Sequence, residues 1–240
     1  MKIAIFSDIH SNLEALDAVF EDMESQGVSH RLCLGDIVGY GASPSEVLEL
    51  TRKKSLHILL GNHDEACSTE PGIEYIGHVK AGIHFSLSRL SQEQKLFLKN
   101  LPRKMTWENM TLTHSSLFQP ERWHYLNTPL NIEVNFQYQK NQICFCGHTH
   151  VPVFLEKTIL TSSQKAMGKH FITPEKRYLI NCGAVGQPRD GDPRASYVIY
   201  DLNEKSIEFR RVDYDIESAQ KKIRDAGLPS ILADRLAKGA

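Results

Sequence analysis

The feature that most constrains the fold is a short apolar segment, predicted as a β-strand, that ends at carboxylate or imidazole side chains. Its first copy is MKIAIFSDIHSN, residues 1–12, in which apolar residues lead into Asp8 and His10. Side chains two residues apart on an extended chain point the same way, so these two groups lie on one side. A helix is predicted to begin directly afterwards, with Ser11 as its N-cap and Glu14 completing a capping box. The pair is therefore expected at a strand-to-helix corner, where α/β sheets bind ligands or metals.

Taken alone, Asp8 and His10 also fit a solvated surface turn, but the same design recurs twice. A predicted strand over residues 31–34 ends at Asp36, and another over residues 57–60 ends at the sequence Gly-Asn-His-Asp. Strands that alternate with helices form parallel sheets, in which the carboxyl ends of neighbouring strands lie side by side. The polar side chains at these ends are therefore predicted to converge: Asp8, His10, Asp36, Asn62 and His63.

Helices are predicted between and after these strands. Ser43 and Glu46 form a capping-box pattern, with proline at the first helical position, and predict a helix over residues 43–54. Residues 73–102 are predicted to be helical, with Ser91 capping the last helix. The apolar residues of these helices are expected to belong to the core.

Composition limits the class of protein. A chain of 240 residues with 41% hydrophobic content can bury a full core, and we expect one domain over residues 1–240 with a helical tail over 215–240. The net charge of −1 argues against broad binding to nucleic acid or anionic membranes. The apolar runs are too short for a membrane helix, and the opening stretch is too short for a secretion signal. Five scattered cysteines favour reduced thiols and a cytoplasmic location.

The second half of the chain is predicted to consist mainly of strands. A hairpin that turns at residues 108–109 has a second strand ending at His114, and the apolar segment QICFC ends at His148 and His150. Two imidazoles on one face beside a glycine are ready metal ligands. Three further strands are predicted in YLINCGAVG, SYVIYDL and SIEFRRVDY, and residues 156–176 are predicted as an exposed hairpin or loop.

The segment before His148 also contains Cys144 and Cys146, a pattern that suggests a zinc site of cysteine and histidine ligands. We favour a different interpretation, because the run Ile-Cys-Phe-Cys fits a strand buried on both faces. In such a strand, cysteine acts as a small hydrophobic residue.

These strand ends, taken in order, resemble the calcineurin-like metallophosphoesterases, and in particular their small prokaryotic phosphoesterase branch. The resemblance runs from residue 3 to about residue 200, and the glycine-rich stretch NCGAVGQPRDGDPRASY is similar to that branch. It implies an α/β (α+β) fold, a four-layer αββα sandwich of two mixed β-sheets flanked by helices. The residues that carry the resemblance are Asp8, His10, Asp36, Asn62, His63, Asp64, His114, His148 and His150.

The resemblance implies two bound metal ions that share one ligand. The first ion would be held by Asp8, His10, Asp36 and His150. The second would be held by Asp36, Asn62, His114 and His148. A bridging role suits Asp36, because a carboxylate offers two oxygens to ions about 3.5–4 Å apart. Mixed imidazole and carboxylate ligands favour divalent transition ions, with manganese expected and iron, zinc, cobalt or nickel as alternatives.

The charge of such a site favours hydrolysis of phosphate esters. Two divalent ions and two aspartates leave a charge of about +2, which attracts a phosphate anion. A hydroxide that bridges the ions is expected to attack phosphorus, because metal binding lowers the pKa of water to about 7. His63 is predicted to protonate the leaving oxygen, with Asp64 either orienting it or capping the following helix. The amide of Asn62 is expected to donate to a substrate oxygen.

Other residues are candidates for substrate contacts. Larger protein phosphatases of the family carry an Asp-Arg pair where this chain has glycine and Tyr40, so a guanidinium would have to come from elsewhere. Arg189 and Arg194 are the candidates, with solvated loop arginines as the alternative. Trp123 and Tyr125 lie in FQPERWHYL, which is either a substrate lid with an aromatic platform or a loop that packs on the core.

The predicted activity is that of a dinuclear phosphodiesterase, a phosphomonoesterase, or both. Alternatives are a nucleotide pyrophosphohydrolase or dinucleoside polyphosphatase, a cyclic-nucleotide phosphodiesterase, a protein phosphatase, and a non-catalytic scaffold such as the retromer subunit of the same fold. The complete set of ligand residues argues against the scaffold. A small phosphate ester or nucleotide is the expected partner, and the sequence leaves the oligomeric state open.

Overall fold

Two mixed β-sheets form the centre of the protein in the computed structural model, which describes residues 1–68, 75–157 and 164–240. In chain order the strands are β1 (Lys2–Phe6), β2 (His30–Cys33), β3 (His57–Ile58), β4 (Lys104–Trp107), β5 (Met110–Thr113), β6 (Ile143–Cys146), β7 (Val153–Glu156), β8 (Gln164–Lys165), β9 (Gly168–Phe171), β10 (Tyr178–Asn181), β11 (Ala195–Asp201) and β12 (Ser206–Val212). The helices are α1 (Leu13–Ser25), α2 (Pro44–Lys54), α3 (Asn62–Ser68), α4 (Gly77–Arg89), α5 (Gln92–Lys99), α6 (Pro129–Tyr138), α7 (Ile216–Asp225) and α8 (Ser230–Asp234), with single 3₁₀ turns at Pro120–Arg122 and Leu236–Lys238.

Each sheet combines parallel and antiparallel strands. The first has the order β3-β2-β1-β11-β12-β9, in which β1, β2 and β3 are parallel and the other pairs are antiparallel. The second has the order β4-β5-β6-β10-β7-β8, in which β5, β6 and β10 are parallel. The parallel strands bring the carboxyl ends that carry polar loops to a common edge in each sheet.

Alternation of side chains along the strands creates four layers. Ile5 of β1 belongs to the apolar cluster between the sheets, together with Phe145 of the second sheet. The next residue, Phe6, belongs to the cluster that packs α1 and α2 against the first sheet. On the far side, Phe136 of α6 packs with Cys144 of the second sheet. The order is therefore helices, sheet, sheet, helix, which confirms the predicted αββα sandwich.

The starts of two helices differ from the prediction. Asn12, and not Ser11, caps α1, because its side-chain oxygen accepts the N–H of Ala15 at 3.1 Å. Ser11 has a φ of 56°, which is outside the extended conformation of an N-cap residue. The hydroxyl of Ser43 makes no capping hydrogen bond to α2, so that predicted capping box is wrong. The capping box at Ser91 is confirmed.

The predicted strands agree with the structure except in their bounds. The third strand comprises only His57–Ile58 instead of residues 57–60, because Leu60 donates its N–H to the carbonyl of Pro102 at 2.8 Å and leaves the sheet. The second strand begins one residue earlier than predicted. The hairpin turn at residues 108–109 is confirmed, with Glu108 in the left-handed region.

The remaining predictions concern the tail and two segments of the chain. Ile216–Asp225, Ser230–Asp234 and Leu236–Lys238 are helical, with the break after the first of them where Gly-Leu-Pro predicts it. Part of the predicted helical region, residues 73–74, and part of the predicted exposed loop, residues 158–163, lie outside the described residues. Within the same predicted loop, β8 pairs in the second sheet and β9 in the first.

All five cysteines are free and buried. Cys144 and Cys146 lie in β6, whose residues are buried on both faces, so they pack as small hydrophobic residues as predicted. Across residues 1–68, 75–157 and 164–240, every helix is too short or too polar to cross a lipid bilayer.

Candidate metal centre

Loops from five strand ends meet at one edge of the two sheets. Backbone hydrogen bonds join them: Asp8 N–H donates to the carbonyl of Gly35 at 3.0 Å, and Gly147 N–H donates to that of His114 at 2.9 Å. Positive φ is rare for residues with a Cβ and persists only where the surroundings enforce it. Here it occurs, with values between 48° and 67°, at Asp8, His10, Asp36, His148 and His150.

Two glycines allow the loops to approach the buried aspartates closely. A Cβ added at Gly61 would lie 2.1 Å from Oδ1 of Asp36, and one at Gly147 would lie 2.5 Å from Oδ2 of Asp8. Any larger residue would displace a carboxylate, since real Cβ atoms do not come this close to other atoms. This contact is the physical reason for the glycine that precedes each of these polar stretches.

Asp8, His10 and His150 form a first group of donor atoms that lie within 4.8 Å of one another. Nε2 of His150 is 3.3 Å from Oδ1 of Asp8 and 3.2 Å from Nε2 of His10. Nε2 of His10 is also 3.6 Å from Oδ2 of Asp36. Donor atoms at about 2.0–2.2 Å from one ion have separations of this size, so the group can hold a metal.

A second group comprises Asp36, His114 and His148, again within 4.8 Å. Nε2 of His114 lies 3.4 Å from Oδ2 of Asp36 and 3.3 Å from Oδ1 of Asn62. The structure thus brings together every residue that the sequence analysis names as a metal ligand. Oδ2 of Asp36 thus lies close to one histidine of each group, His10 and His114.

Backbone carbonyls orient the imidazole rings. Nδ1 of His10, His114 and His150 donates to a carbonyl at 3.1, 3.1 and 2.6 Å, respectively, which directs Nε2 of each ring into the site. His148 is reversed, because its Nε2 donates to the carbonyl of Trp123 at 2.9 Å and Nδ1 keeps the lone pair. Such partners fix the tautomer and orientation of metal-binding histidines.

The buried charges of the site favour a bound cation. Oδ1 of Asp8 is buried and has no hydrogen-bond partner among the described residues, and burial raises the pKa of Asp8 to about 7. Burial also acts on Asp36, but His114 and His63 outweigh it and hold the pKa of Asp36 well below its usual value. Burial lowers the pKa of His114, but Asp36 overcomes this effect and raises it to about 9. Two buried carboxylates thus require nearby positive charge, which divalent ions can supply.

His63 lies beside these groups, and its donor atom comes within 4.8 Å of those of His10 and Asp36. Its ring centroid is 4.7 Å from that of His10 and 4.5 Å from that of Tyr40. Nδ1 of His63 is buried and has no hydrogen-bond partner in the described part of the chain. Burial lowers the pKa of His63 to about 4, so the ring is neutral until a nearby anion stabilises its proton.

Asp64 holds two loops together instead of orienting His63. Its Oδ1 accepts the N–H groups of Ile37 and Val38 at 2.9 and 3.1 Å, and its Oδ2 accepts that of Gly61 at 3.1 Å. The last bond caps the start of α3, which was one of the two predicted roles. Because the side chain is fully buried and bound by backbone N–H groups, the interpretation of Asp64 as a catalytic residue is corrected.

The two aromatic residues that were predicted to contact substrate differ in their exposure to solvent. Trp123 is only 7% exposed, and its indole N–H donates to Oε2 of Glu65 at 3.0 Å. Its ring is therefore not available for stacking, which corrects the platform interpretation for Trp123. Tyr125 is 46% exposed, and its ring stacks on the imidazole of His148 with centroids 4.1 Å apart. Tyr125 remains the aromatic candidate for a substrate contact.

Of the two candidate arginines, only Arg189 is near the centre with a guanidinium that no carboxylate binds among the described residues. Arg189 donates to Oε1 of Gln187 at 2.9 Å and to the hydroxyl of Tyr40 at 3.3 Å. Arg194 instead donates to both oxygens of Asp192, at 3.0 and 2.7 Å. The interpretation of Arg194 as a substrate anchor is therefore corrected.

Sequence analysis missed the contacts that support His148. The carbonyl of Trp123 binds this histidine, while the indole of Trp123 binds Glu65, which also forms an ion pair with Arg103. These residues come from separate segments of the chain. The one local signal is the spacing of Asn62 and Glu65, which places them on the same face of α3.

Replacing Trp123 by phenylalanine is expected to lower the affinity of the second group for metal by about 10–100-fold. This is the usual effect of losing an outer partner of a metal ligand. The substitution removes the N–H bond to Glu65 that fixes the carbonyl bound to His148. Equilibrium dialysis with Mn²⁺ would measure the affinity of each group. Trp107→Phe is the matched control, because Trp107 packs near His57 in the sheets. Equal weakening of both groups, or of neither, would contradict this role for Trp123.

Comparison with known proteins assigns this arrangement to a family. The family model described as the calcineurin-like phosphoesterase superfamily domain matches residues 1–205. The chain belongs to that superfamily, which confirms the resemblance seen in the sequence. It is a metal-dependent phosphoric ester hydrolase, as predicted.

Individual relatives extend the similarity over the full chain. The uncharacterized protein MJ0912 of Methanocaldococcus jannaschii is 40% identical over 243 residues, covering 99% of this chain and 98% of its own. The crystal structure of a metallophosphoesterase from Sphaerobacter thermophilus has a TM-score of 0.90 at 37% identity, covering 100% of this chain and 99% of its own. Phosphodiesterase YfcE of Escherichia coli strain K12 is 26% identical over 230 residues, covering 86% of this chain and 95% of its own.

Proposed function

We propose that the protein is a two-metal enzyme that hydrolyses small phosphate esters, with phosphodiesters as its preferred class. The observation that carries the proposal is the position of Asp36 between two groups of donor atoms. The first metal would be held by Asp8, His10, Asp36 and His150, and the second by Asp36, Asn62, His114 and His148. The E. coli relative that is named a phosphodiesterase supports the choice of diesters.

The donor set favours a divalent transition ion at both positions. It combines four imidazoles with two carboxylates and one amide oxygen, which is too rich in nitrogen for calcium or magnesium alone. Manganese is the ion we propose, with iron, zinc, cobalt and nickel as the alternatives. When bound, such ions activate water and neutralise the charge that develops on the phosphate.

Residues around the metal groups would bind the substrate and move a proton. His63 is proposed to protonate the leaving oxygen, and the negative phosphate beside it would raise the low pKa of the buried ring. Arg189 is proposed to bind a phosphate oxygen, because its guanidinium has only neutral partners in the described residues. The exposed ring of Tyr125 is proposed to contact the ester group at the entrance.

We also propose that residues 1–240 act as one unit in the cytoplasm. Five free, buried thiols fit a reducing compartment. The C-terminal tail contributes apolar side chains to the cluster that includes Tyr40, next to the candidate metal centre.

Metal removal provides the direct test. Dialysis against a chelator is expected to lower hydrolysis of bis(p-nitrophenyl) phosphate by at least about 10³-fold, because the ions supply several kcal/mol of charge stabilisation. Mn²⁺ is expected to restore the rate best in a series of the five ions named above. p-Nitrophenyl phosphate, assayed in parallel, is expected to react more slowly than the diester.

Two histidine variants control for nonspecific effects of substitution. His150→Ala is expected to lose activity, whereas His170→Ala should keep it, because His170 stacks on Phe154 in the sheets with centroids 4.3 Å apart. Full activity in protein shown by elemental analysis to contain no metal would refute the proposal.

A further inference from the structure

A pocket next to the candidate metal centre has no part in the proposed reaction. It lies between helix α6 and the segment that follows β5, and it encloses about 200 Å³. Sites that hold a whole ligand usually enclose roughly 300–1,000 Å³, so this pocket has room for one ring system. We name it the α6 pocket, and its lining residues are Ser116, Phe118, His124, Leu130, Asn131 and Val134.

Backbone contacts place the α6 pocket beside the second metal group. The carbonyl of Trp123, which accepts the Nε2–H of His148 at 2.9 Å, belongs to the peptide bond that joins Trp123 to His124. Cα of His124 is therefore within about 6 Å of that ring nitrogen. Asn131 of the lining donates its Nδ2–H to the carbonyl of Tyr125 at 2.8 Å, and the ring of Tyr125 stacks on His148. This short segment thus connects the pocket directly with the metal centre.

The lining of the pocket is apolar, with two polar groups that can bind the edge of a ring. None of its six residues is a lysine, arginine, aspartate or glutamate, and Leu130 is 72% exposed. Nε2 of His124 is buried without a hydrogen-bond partner in the part of the chain that the structure describes. The hydroxyl of Ser116 accepts the N–H of Phe118 at 3.1 Å and can still donate its own hydrogen. Apolar surface with a few polar atoms is typical of sites for uncharged groups.

The shape of the pocket favours a planar group. The rings of Phe118 and His124 are nearly parallel, with 14° between their planes and centroids 6.0 Å apart. The segment that carries them is held at both ends. Leu117 donates its N–H to Oδ1 of Asn135 in α6 at 2.8 Å, and the indole N–H of Trp123 is bound to a carboxylate of α3. Walls that are in place before a ligand binds lower the entropic cost of binding.

We propose that the α6 pocket binds an aromatic ring of the substrate, a nucleobase or an aryl group, while the phosphate is at the metal centre. The inference rests on the proposed function and narrows its substrate class to phosphate esters that carry such a ring. A ring against Phe118 buries apolar surface. A nucleobase also offers hydrogen-bond partners to Nε2 of His124 and to the hydroxyl of Ser116.

Binding of non-hydrolysable phosphonates that share one linker tests the proposal. Propylphosphonate carries no ring. The compounds 3-phenylpropylphosphonate, 3-cyclohexylpropylphosphonate and 9-(3-phosphonopropyl)adenine add a phenyl ring, a non-planar ring and a nucleobase, respectively. Calorimetry with the Mn²⁺-loaded protein would give the dissociation constants. The phenyl compound is expected to bind at least about fivefold more tightly than propylphosphonate, which corresponds to about 1 kcal/mol, the lower end of the contribution of a stacked ring.

The other two probes identify the ring. Tighter binding of the adenine compound than of the phenyl compound would indicate a nucleobase, and equal or weaker binding would indicate a simple aryl group. Both results agree with the proposal, provided that the phenyl compound binds more tightly than propylphosphonate. Equal binding of the phenyl and cyclohexyl compounds would overturn it, because any apolar group would then occupy the pocket.

Variants show whether the α6 pocket causes the preference for the phenyl compound. Val134→Phe fills the pocket and is expected to reduce the preference to about twofold or less. Gln137→Phe introduces the same side chain at an exposed position of the same helix and is expected to keep the full preference. Phe118→Leu keeps apolar volume but removes the planar wall, so it should also lower the preference. Thermal melts would identify a variant that does not fold, and Phe118→Leu gives the answer if Val134→Phe does not fold.

The outcomes separate this inference from the proposed function. No preference for the phenyl compound in wild type, an undiminished preference in a folded pocket variant, or no binding of any phosphonate would overturn the ring site. Failure to hydrolyse any phosphate ester would overturn the proposed function, whereas the preference among phosphonates would still be measurable. Hydrolysis of diesters without a preference for the phenyl compound would leave the proposed function intact and remove only this site.

Discussion

Asp36→Asn is expected to remove metal from both groups and to lower phosphodiester hydrolysis by at least about 10³-fold. Oδ2 of Asp36 lies 3.6 Å from Nε2 of His10 and 3.4 Å from Nε2 of His114, so this carboxylate can reach an ion in either group. An amide offers one oxygen and no charge, and it cannot bind two cations in the same way. The expected result is therefore loss of both ions, and not of one.

Metal counting by elemental analysis would test this expectation. His10→Ala is the matched comparison, because His10 belongs to the first group and should mainly reduce that ion. The fold is expected to survive in Asp36→Asn, since the amide oxygen can still accept the N–H of His63, which binds Oδ1 at 2.8 Å. Circular dichroism would check the fold. Two full equivalents of metal in Asp36→Asn would show that Asp36 does not bridge the ions.

His63→Asn is expected to lower the rate by about 10²–10⁴-fold, which is the usual contribution of a positioned general acid. The loss should depend on the leaving group. p-Nitrophenolate departs as a stable anion and needs little protonation, whereas an alkoxide such as a ribose oxygen needs the proton. The variant should therefore be affected least with bis(p-nitrophenyl) phosphate and most with a diester of an alkyl alcohol.

Metal content decides between the two roles that the geometry allows for His63. Its donor atom lies within 4.8 Å of those of His10 and Asp36, so a ligand role would cost metal on substitution, whereas a general acid would not. His84→Asn is the control, because His84 is an exposed histidine of α4. Equal losses with both leaving groups would leave His63 as a phosphate-binding or structural residue.

The units that carry the site are local features, which is why the sequence predicts them. Each unit combines an apolar strand, a glycine and one or two polar residues within about ten positions, and this periodicity is the strongest signal of secondary structure. The parallel arrangement of the first strands follows from their alternation with helices, so the convergence of Asp8, His10 and Asp36 could be inferred without coordinates. The exact starts of helices could not be inferred in this way. Ser11 and Asn12 are equally good cap residues, and the backbone conformation allows only Asn12 to cap α1.

The sequence by itself therefore determined the alternation of strands and helices and the convergence of the polar strand ends. The family resemblance implied the four-layer fold and the allocation of the metal ligands, whereas tertiary structure decided what the neighbouring side chains do. Trp123 and Tyr125 are two residues apart, yet one is buried and the other is exposed, because Glu65, 58 residues away, binds the indole. Tyr40, next to the metal ligands, is buried partly by Leu232 and Leu236, which lie near the other end of the chain. Such contacts depend on which distant groups satisfy buried polar atoms and fill apolar space. No local pattern contains that information, since the free energy of burial is set by partners that only the folded chain brings together.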